Sequence, residues 1–416
     1  TNPTNDTLEF APFLLTPSVF PRKQFEKAVN LQTTLNELVH AVAYDDDFLT
    51  GTLQMTIQAD DFTKRLFDIY KTVKSENLLN TVNLGVLRSD YMLHSDNTIK
   101  QVEINTVASS FGAVSSVIAK TQKYIMGELG FGGADHEKNL PVNSSVQSIC
   151  RGMIRAWELY NNENSVIVFI VENLTMNICD QRILEFHIRE TNPKIQVLRL
   201  TLTEMASAAT LDESFKLKLR GKYGDVEVAL VYFRAGYEPN HYPTEDEWNA
   251  RLMIERSRSL KCPSINYHLA GTKKVQQALA VPGILKRFIN DEDKIRMVED
   301  VFTGLYPLES LSAYEMAMNE PGKSAWILMD RIVPPTIQGY VIRSGTKDLI
   351  VNDCVSELGI FGIIIDNADN IFENYQAGHM LRTKLSTVNE GGVAAGLGAV
   401  DTPYLIDDDQ VTLVEK

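Results

Sequence analysis

Lys100-Gln101-Val102-Glu103-Ile104-Asn105-Thr106 runs into the small-residue turn Val107-Ala108-Ser109-Ser110-Phe111-Gly112. The first seven residues read as a strand, because apolar Val102 and Ile104 alternate with polar Gln101, Glu103 and Asn105. Side chains two apart on a strand share a face, so the Glu103 carboxylate and the Asn105 amide oxygen point the same way. Such paired hard oxygens suit Mg²⁺, which takes one or two protein oxygens and shares the rest with phosphates and water. The Ser-Ser-Phe-Gly turn offers hydroxyls and backbone N–H groups at a helix start, where an anion is welcome. A solvated strand face running into a capped helix would read the same way, and this stretch alone does not separate the two.

The 416 residues can bury a large core and hold two or more subdomains. With 44% hydrophobic and 23% charged residues, the composition is that of a globular protein. A net charge of -14 and the lack of any Lys/Arg run argue against a nucleic-acid partner. A few local cations with Mg²⁺ still suffice for ATP. Cys150, Cys179, Cys262 and Cys354 are far apart and form no C-x-x-C, so neither a disulfide framework nor a zinc site is expected. There is no 18-residue apolar run and no apolar leader after Thr1, so the expectation is a cytoplasmic protein without a membrane partner.

Helices are expected over 23–43 and 60–73, followed by a buried strand over 82–87 that delivers Arg88-Ser89-Asp90-Tyr91 at its end. Arg88 could clamp a carboxylate or phosphate bidentately, or pair with Asp90. Residues 130–145 read as a surface loop. From about 165 the texture alternates between strands, over 166–171, 195–200 and 226–232, and helices, one opened by Asn177 to Gln181. This is a compact α/β unit with a largely parallel sheet. Its third strand exits into Arg234 and Tyr237, where parallel sheets bind ligands. A helix is expected over 245–260 as scaffold. Gly271-Thr272-Lys273-Lys274 opens another with two cations that oppose the helix dipole and either call for an external anion or are simply solvated. A strand over 325–332 turns polar at its end, and the strand over 355–362 carries Glu357 among apolar residues, where a cation or metal must offset it. Arg382 and Lys384 share a face if extended. The run from Gly391 to Gly396 permits close backbone approach but is neither a P-loop nor a dinucleotide motif.

Taken in order, Arg88-Ser89-Asp90-Tyr91, Glu103-Ile104-Asn105-Thr106 with Ser110-Phe111-Gly112, Asn177-x-x-Asp180-Gln181 and Tyr232-Phe233-Arg234-x-Gly236-Tyr237 resemble the eukaryotic type of glutathione synthetase. So do Gly271-Thr272-Lys273-Lys274-Val275-Gln276-Gln277, Ile327-Leu328-Met329, Ser356-Glu357-Leu358-Gly359, Leu381-Arg382-Thr383-Lys384 and the Gly391-to-Gly396 run. The resemblance extends from about Ala11 to Leu405. It implies an ATP-grasp fold, α+β with an inserted parallel-sheet α/β substrate-binding subdomain and a helical N-terminal part. The expected divisions are 1–163, 164–265 and 266–416. It also implies ligation of γ-glutamylcysteine to glycine with ATP and Mg²⁺ in a homodimer. Glu103 and Asn105 match metal positions. Glu103, Lys273, Met329, Asp330, Ile332, Glu357, Lys384 and Glu390 match ATP positions, those from Met329 to Ile332 acting through backbone groups. Arg88, Ser109, Ser110, Asn177, Gln181, Arg234 and Tyr237 match the dipeptide site. Arg382 and the backbone of Val393 and Ala394 match the glycine end, and Arg88 is the candidate catalytic residue.

The sequence departs from the family at three places. The family's Gly-rich lid, with its phosphate-binding Lys and a third Mg²⁺-ligating Glu, has no counterpart here, and we expect the gene product to carry it near the Pro321-Gly322 junction. The acid two residues before Asn177 is Thr175, which removes one partner for the substrate's α-amino group. Asp330 stands for a Glu, with little effect expected. The alternatives are a ligase using another amine such as β-alanine, or an inactive ATP- or peptide-binding relative. The Val393-Ala394-Ala395 run favours glycine.

Overall fold

The computed structural model describes residues 10–79, 81–307, 326–345, 347–388, 393 and 397–407. The Pro321-Gly322 junction, Glu390 and Ala394 lie outside these described residues.

A mixed sheet forms the spine. Its longest strands, Val351–Asp366 and Ile371–Leu385, pair antiparallel, and Asn83–Leu93 pairs antiparallel with the first of them. On its other side Asn83–Leu93 changes partner along its length. Asn83 meets Lys261 of the short strand Leu260–Cys262 in parallel, and Arg88 to Leu93 meet the strand Ile99–Asn105 antiparallel. Beyond Leu260–Cys262 the sheet is parallel, through Val226–Phe233 and Val166–Ile170 to Gln196–Leu200. The segment 164–265 thus contributes strands to the same sheet that carries the antiparallel half.

Two cores flank this sheet, and consecutive strand residues alternate between them. Leu87, Val168, Val231 and Ile364 enter one, while Val86, Ile167, Leu230 and Ile363 enter the other. Burial on both faces explains why these strands are unbroken apolar runs. The helix Arg22–Ala43 covers the antiparallel strands with Leu31, Leu35, Leu38 and Val42. It approaches closely because Gly362 has no side chain, and a Cβ there would lie 2.2 Å from Asn36 Oδ1. On the opposite face the helix Ser145–Tyr160 packs Val146, Ile149, Met153 and Trp157 against Val86, Phe361 and Ile363.

Two expectations about element length need correction. The strand expected over 82–87 continues to Leu93, so Arg88 lies within a strand and not at its exit. It can do so because Arg88 and Asp90 satisfy each other while Ser89 and Tyr91 are buried on the other face. The helix expected over 245–260 stops at Arg256. Ser257 turns to ψ 163°, and the chain enters Leu260–Cys262.

Candidate active site

One face of the sheet turns from apolar to charged along its strands. On Asn83–Leu93 the row Leu84, Val86 continues as Arg88 and Asp90, and on Val351–Asp366 the row Ile363, Phe361 continues as Gly359 and Glu357. Register places Asp90 opposite both Glu103 and Gly359, Arg88 opposite Asn105, and Glu357 opposite Arg382. Four neighbouring strands therefore bring Arg88, Glu103, Asn105, Glu357 and Arg382 together. The anchor is Asp90, which sequence reading treated only as a possible partner of Arg88. Arg88 is 5% and Asp90 0% exposed, and the guanidinium donates to the carboxylate through Nε at 2.7 Å and Nη2 at 2.8 Å. Asn105 Nδ2 donates to Asp90 Oδ2 at 3.0 Å and to Glu103 Oε1 at 3.2 Å. Gly359 makes room, because a Cβ there would sit 2.9 Å from Arg88 Cδ, Asp90 Oδ1 and Met380 Cγ.

The carboxylates differ in their surroundings. Burial pushes Glu103 upward, but Lys273 Nζ at 2.9 Å, with Arg88 and Asn105, holds its carboxyl below the usual range. Glu357 is raised by burial, with Asp90 adding to the effect, against the pull of its ion pair with Arg382. Arg382 is thus the cation that offsets the acid in an apolar strand, and it also lies 3.6 Å from Asp90. Three acids and three cations interleave here. As a Mg²⁺ site the donor types fit, a carboxylate and an amide two residues apart on one strand face; the Asn105 nitrogen faces Glu103 here, so its oxygen would join a metal with the amide turned over.

Lys273 opens the helix Lys273–Leu279, whose Gln276 acts as an extra strand residue. Its Oε1 accepts from Ile104 N at 3.0 Å and its Nε2 donates to Ile104 O at 3.2 Å. This locks the Glu103 strand onto the lysine-bearing helix. The same helix packs on Leu305–Pro307 and Ile327–Met329, which pair antiparallel. Asp330 N donates to Gly304 O at 2.9 Å, and Tyr306 Oη donates to Asp330 Oδ2 at 3.2 Å. Met329 and Asp330 are thereby brought beside the Lys273 helix, with half-buried Ile332 following. Lys384 lies two residues beyond Arg382 on the extended strand Ile371–Leu385. Val393 is buried against Ile118 and Val400.

The turn before the helix Gly112–Glu128 is clamped from two sides. Arg88 Nη1 donates to Ser110 O at 3.1 Å, while Arg234 donates to Ser109 O at 2.9 Å and Ser110 Oγ at 2.6 Å. Ala108 and Phe111 hold φ of 51° and 71°, a left-handed strain that such clamping can maintain. Ser109 Oγ donates to Val86 O at 2.9 Å. The anion expected at this helix start is part of the protein. Asp180 accepts from Phe111 N at 3.0 Å, Ala113 N at 2.8 Å and Val114 N at 3.2 Å. Next to it Gln181 Oε1 accepts from Arg199 at 2.7 Å, Asn177 starts the helix Ile178–Thr191, and Tyr237 is 40% exposed beside Arg234. The dipeptide candidates therefore gather at the exits of the parallel strands. Asp180, Arg199 and Gln276 were missed as supports, because each holds a residue distant in sequence.

The fold is shared with a solved glutathione synthetase-like effector from Globodera pallida, at TM-score 0.77 and 22% identity, over 95% of this chain and 90% of that one. This fold is of the ATP-grasp type. The family model described as eukaryotic glutathione synthase, ATP binding domain, matches residues 1–323 and 314–405, two stretches that meet around the Pro321-Gly322 junction. Glutathione synthetase of Xenopus laevis is 37% identical over 97% of this chain and 92% of its own length. The chloroplastic glutathione synthetase of Arabidopsis thaliana is 35% identical over 96% of this chain and 79% of its own. The Xenopus alignment spans 444 residues, more than this chain of 416, so it includes segments of the relative with no counterpart here. The chain belongs to the eukaryotic glutathione synthase family. No helix among the described residues is long and apolar enough to cross a membrane.

Proposed function

We infer that this chain ligates γ-glutamylcysteine to glycine with ATP, giving glutathione, ADP and phosphate. The observation that carries the reading is the interleaved face of Arg88, Asp90, Glu103, Asn105, Glu357, Arg382 and Lys273 across neighbouring strands. The cysteinyl carboxylate attacks the γ-phosphorus, the bond to the β-phosphate oxygen breaks, and an acyl phosphate forms. Glycine's amine then adds to the acyl carbon and phosphate leaves. Such chemistry needs positioning and charge neutralisation more than a protein nucleophile. Glu103 and Asn105 would hold Mg²⁺, which neutralises phosphate charge when bound. Lys273 meets the phosphates, and backbone groups from Met329 to Ile332 line the adenine, with Asp330, Glu357, Lys384 and Glu390 around the nucleotide. Arg88, fixed by Asp90, steadies the reacting carboxylate. Ser109, Ser110, Asn177, Gln181, Arg234 and Tyr237 hold the dipeptide, and Arg382 with the backbone of Val393 and Ala394 receives glycine.

The division into 1–163, 164–265 and 266–416, a homodimer and cytoplasmic residence belong to the same reading. Limited proteolysis, light scattering and fractionation of source cells test them in turn. The central test is ADP release by the full-length protein with Mg-ATP and γ-glutamylcysteine, adding glycine or β-alanine in parallel. Turnover that requires the dipeptide, prefers glycine and falls by a factor of about 100 or more in Glu103→Gln supports the reading. ATP binding without turnover would favour an inactive relative.

A further inference from the structure

Beyond the ends of the parallel strands, Glu172, Glu238 and His241 bring ligand-type atoms within 4.8 Å of one another. Such a cluster could hold a metal ion or receive an organic cation, and the histidine separates the two. Gly236 N–H donates to His241 Nδ1 at 3.0 Å, so the neutral ring keeps its lone pair on Nδ1 and its proton on Nε2. Nε2 is the atom that faces the acids, 3.2 Å from Glu172 Oε1 and 3.6 Å from Glu238 Oε1. It donates there and offers no lone pair to a metal. The ring is an orienting strut, and the carboxylates are left to meet a cation.

We propose that Glu172, oriented by His241, receives the α-ammonium group of the γ-glutamyl residue, taking the place of the acid that Thr175 does not supply. The proposal rests on the ligase reading above. Thr175 cannot fill the role, since it carries no charge and its Oγ1 accepts Asn177 N–H at 3.3 Å in a local turn. Glu172 leaves the strand Val166–Ile170 on the same loop, and its side chain is 30% exposed. Among the described residues no lysine or arginine forms an ion pair with it. Tyr237 stands edge-on to His241 with ring centres 4.8 Å apart. The Tyr237 phenol is raised by burial, then by Glu172 and Glu238, and lowered by Arg234, so all three charges act on one ring. An α-amino-acid head presents an ammonium and a carboxylate on one carbon, and the acid and guanidinium near Tyr237 match that pair.

The test compares kcat/KM for γ-glutamylcysteine and for N-glutarylcysteine, the same compound without the α-ammonium. The wild type should prefer the first by about 10- to 100-fold, and Glu172→Gln should cut that preference to about threefold or less. Adding Thr175→Glu to Glu172→Gln should restore most of it. An unchanged preference in Glu172→Gln overturns the proposal, as does saturable Zn²⁺ binding by the wild type that His241→Gln abolishes. Glu172→Asp, measured alongside, covers a Gln variant that does not fold. If the wild type turns over neither compound, the ligase reading has failed. Calorimetric binding of the two compounds then still tests the pocket, with equal affinity counting against it.

Discussion

At the scale of single residues the site is a lattice in which each charge has a partner, so one change leaves another group exposed to cost. Asp90→Asn strips the fully buried partner from Arg88. We expect it to lower stability in urea by about 3–5 kcal/mol, the usual penalty for an orphaned buried charge, and to abolish ligation. An unchanged midpoint would mean that Arg88 finds another acid. Gly359→Ala acts differently, because the atoms its Cβ would meet at 2.9 Å belong to the side chains of Arg88, Asp90 and Met380 and not to backbone. It should leave Tm within a few degrees while reducing kcat/KM by about tenfold or more, because Arg88 and Asp90 are displaced. Equal loss in both measurements would sink that reading. Sequence made this site legible where partners are close along the chain. Glu103 with Asn105, and Arg88 with Asp90, declare a shared face by their spacing of two. Gln276 and Asp180 were illegible, because their partners Ile104 and Ala113 lie far off in sequence and meet them only in the fold.

At the scale of elements, Asp180 is the joint between the helices Ile178–Thr191 and Gly112–Glu128. Its carboxylate serves backbone donors of one helix from the first turn of the other. Asp180→Ala should cost about 1–3 kcal/mol through the lost cap and the donors left unpaired. It should also raise KM for the dipeptide more than KM for ATP, since the Ser109-Ser110 turn relaxes. A uniform change in both KM values would show that the joint serves stability alone. The parallel strands, the helices over 22–43 and 61–75, and the Glu103 strand were readable from periodicity. The true end of Asn83–Leu93 was not, because an arginine and an aspartate inside a strand look like its exit until the ion pair between them is known.

At the scale of the molecule, buried histidines couple stability to acid. Burial, with Arg251 adding to it, holds His268 down to about 3, and burial alone holds His379 down to about 4. The unfolded chain protonates them below about 6.5, so between these limits it binds more protons than the fold. Their contribution is fully present above pH about 6.5 and fades as pH drops towards 4, by on the order of 3 kcal/mol for each. Burial raises Asp401 and Glu357, which opposes this trend at the acid end. Tm should therefore fall from pH 7 to pH 5, and less steeply in His379→Gln; parallel slopes would reject the assignment. The sheet itself has a consequence for biosynthesis. Asn83–Leu93, which carries Arg88, is completed early, yet its long antiparallel partner is Val351–Asp366. At ribosomal speeds the nascent strand waits on the order of tens of seconds for that partner to be made. Throughout that interval the apolar row from Leu84 to Leu87 lacks this antiparallel neighbour, so newly made chains should depend on chaperones, and chains that stop before residue 366 should be degraded rather than partly active.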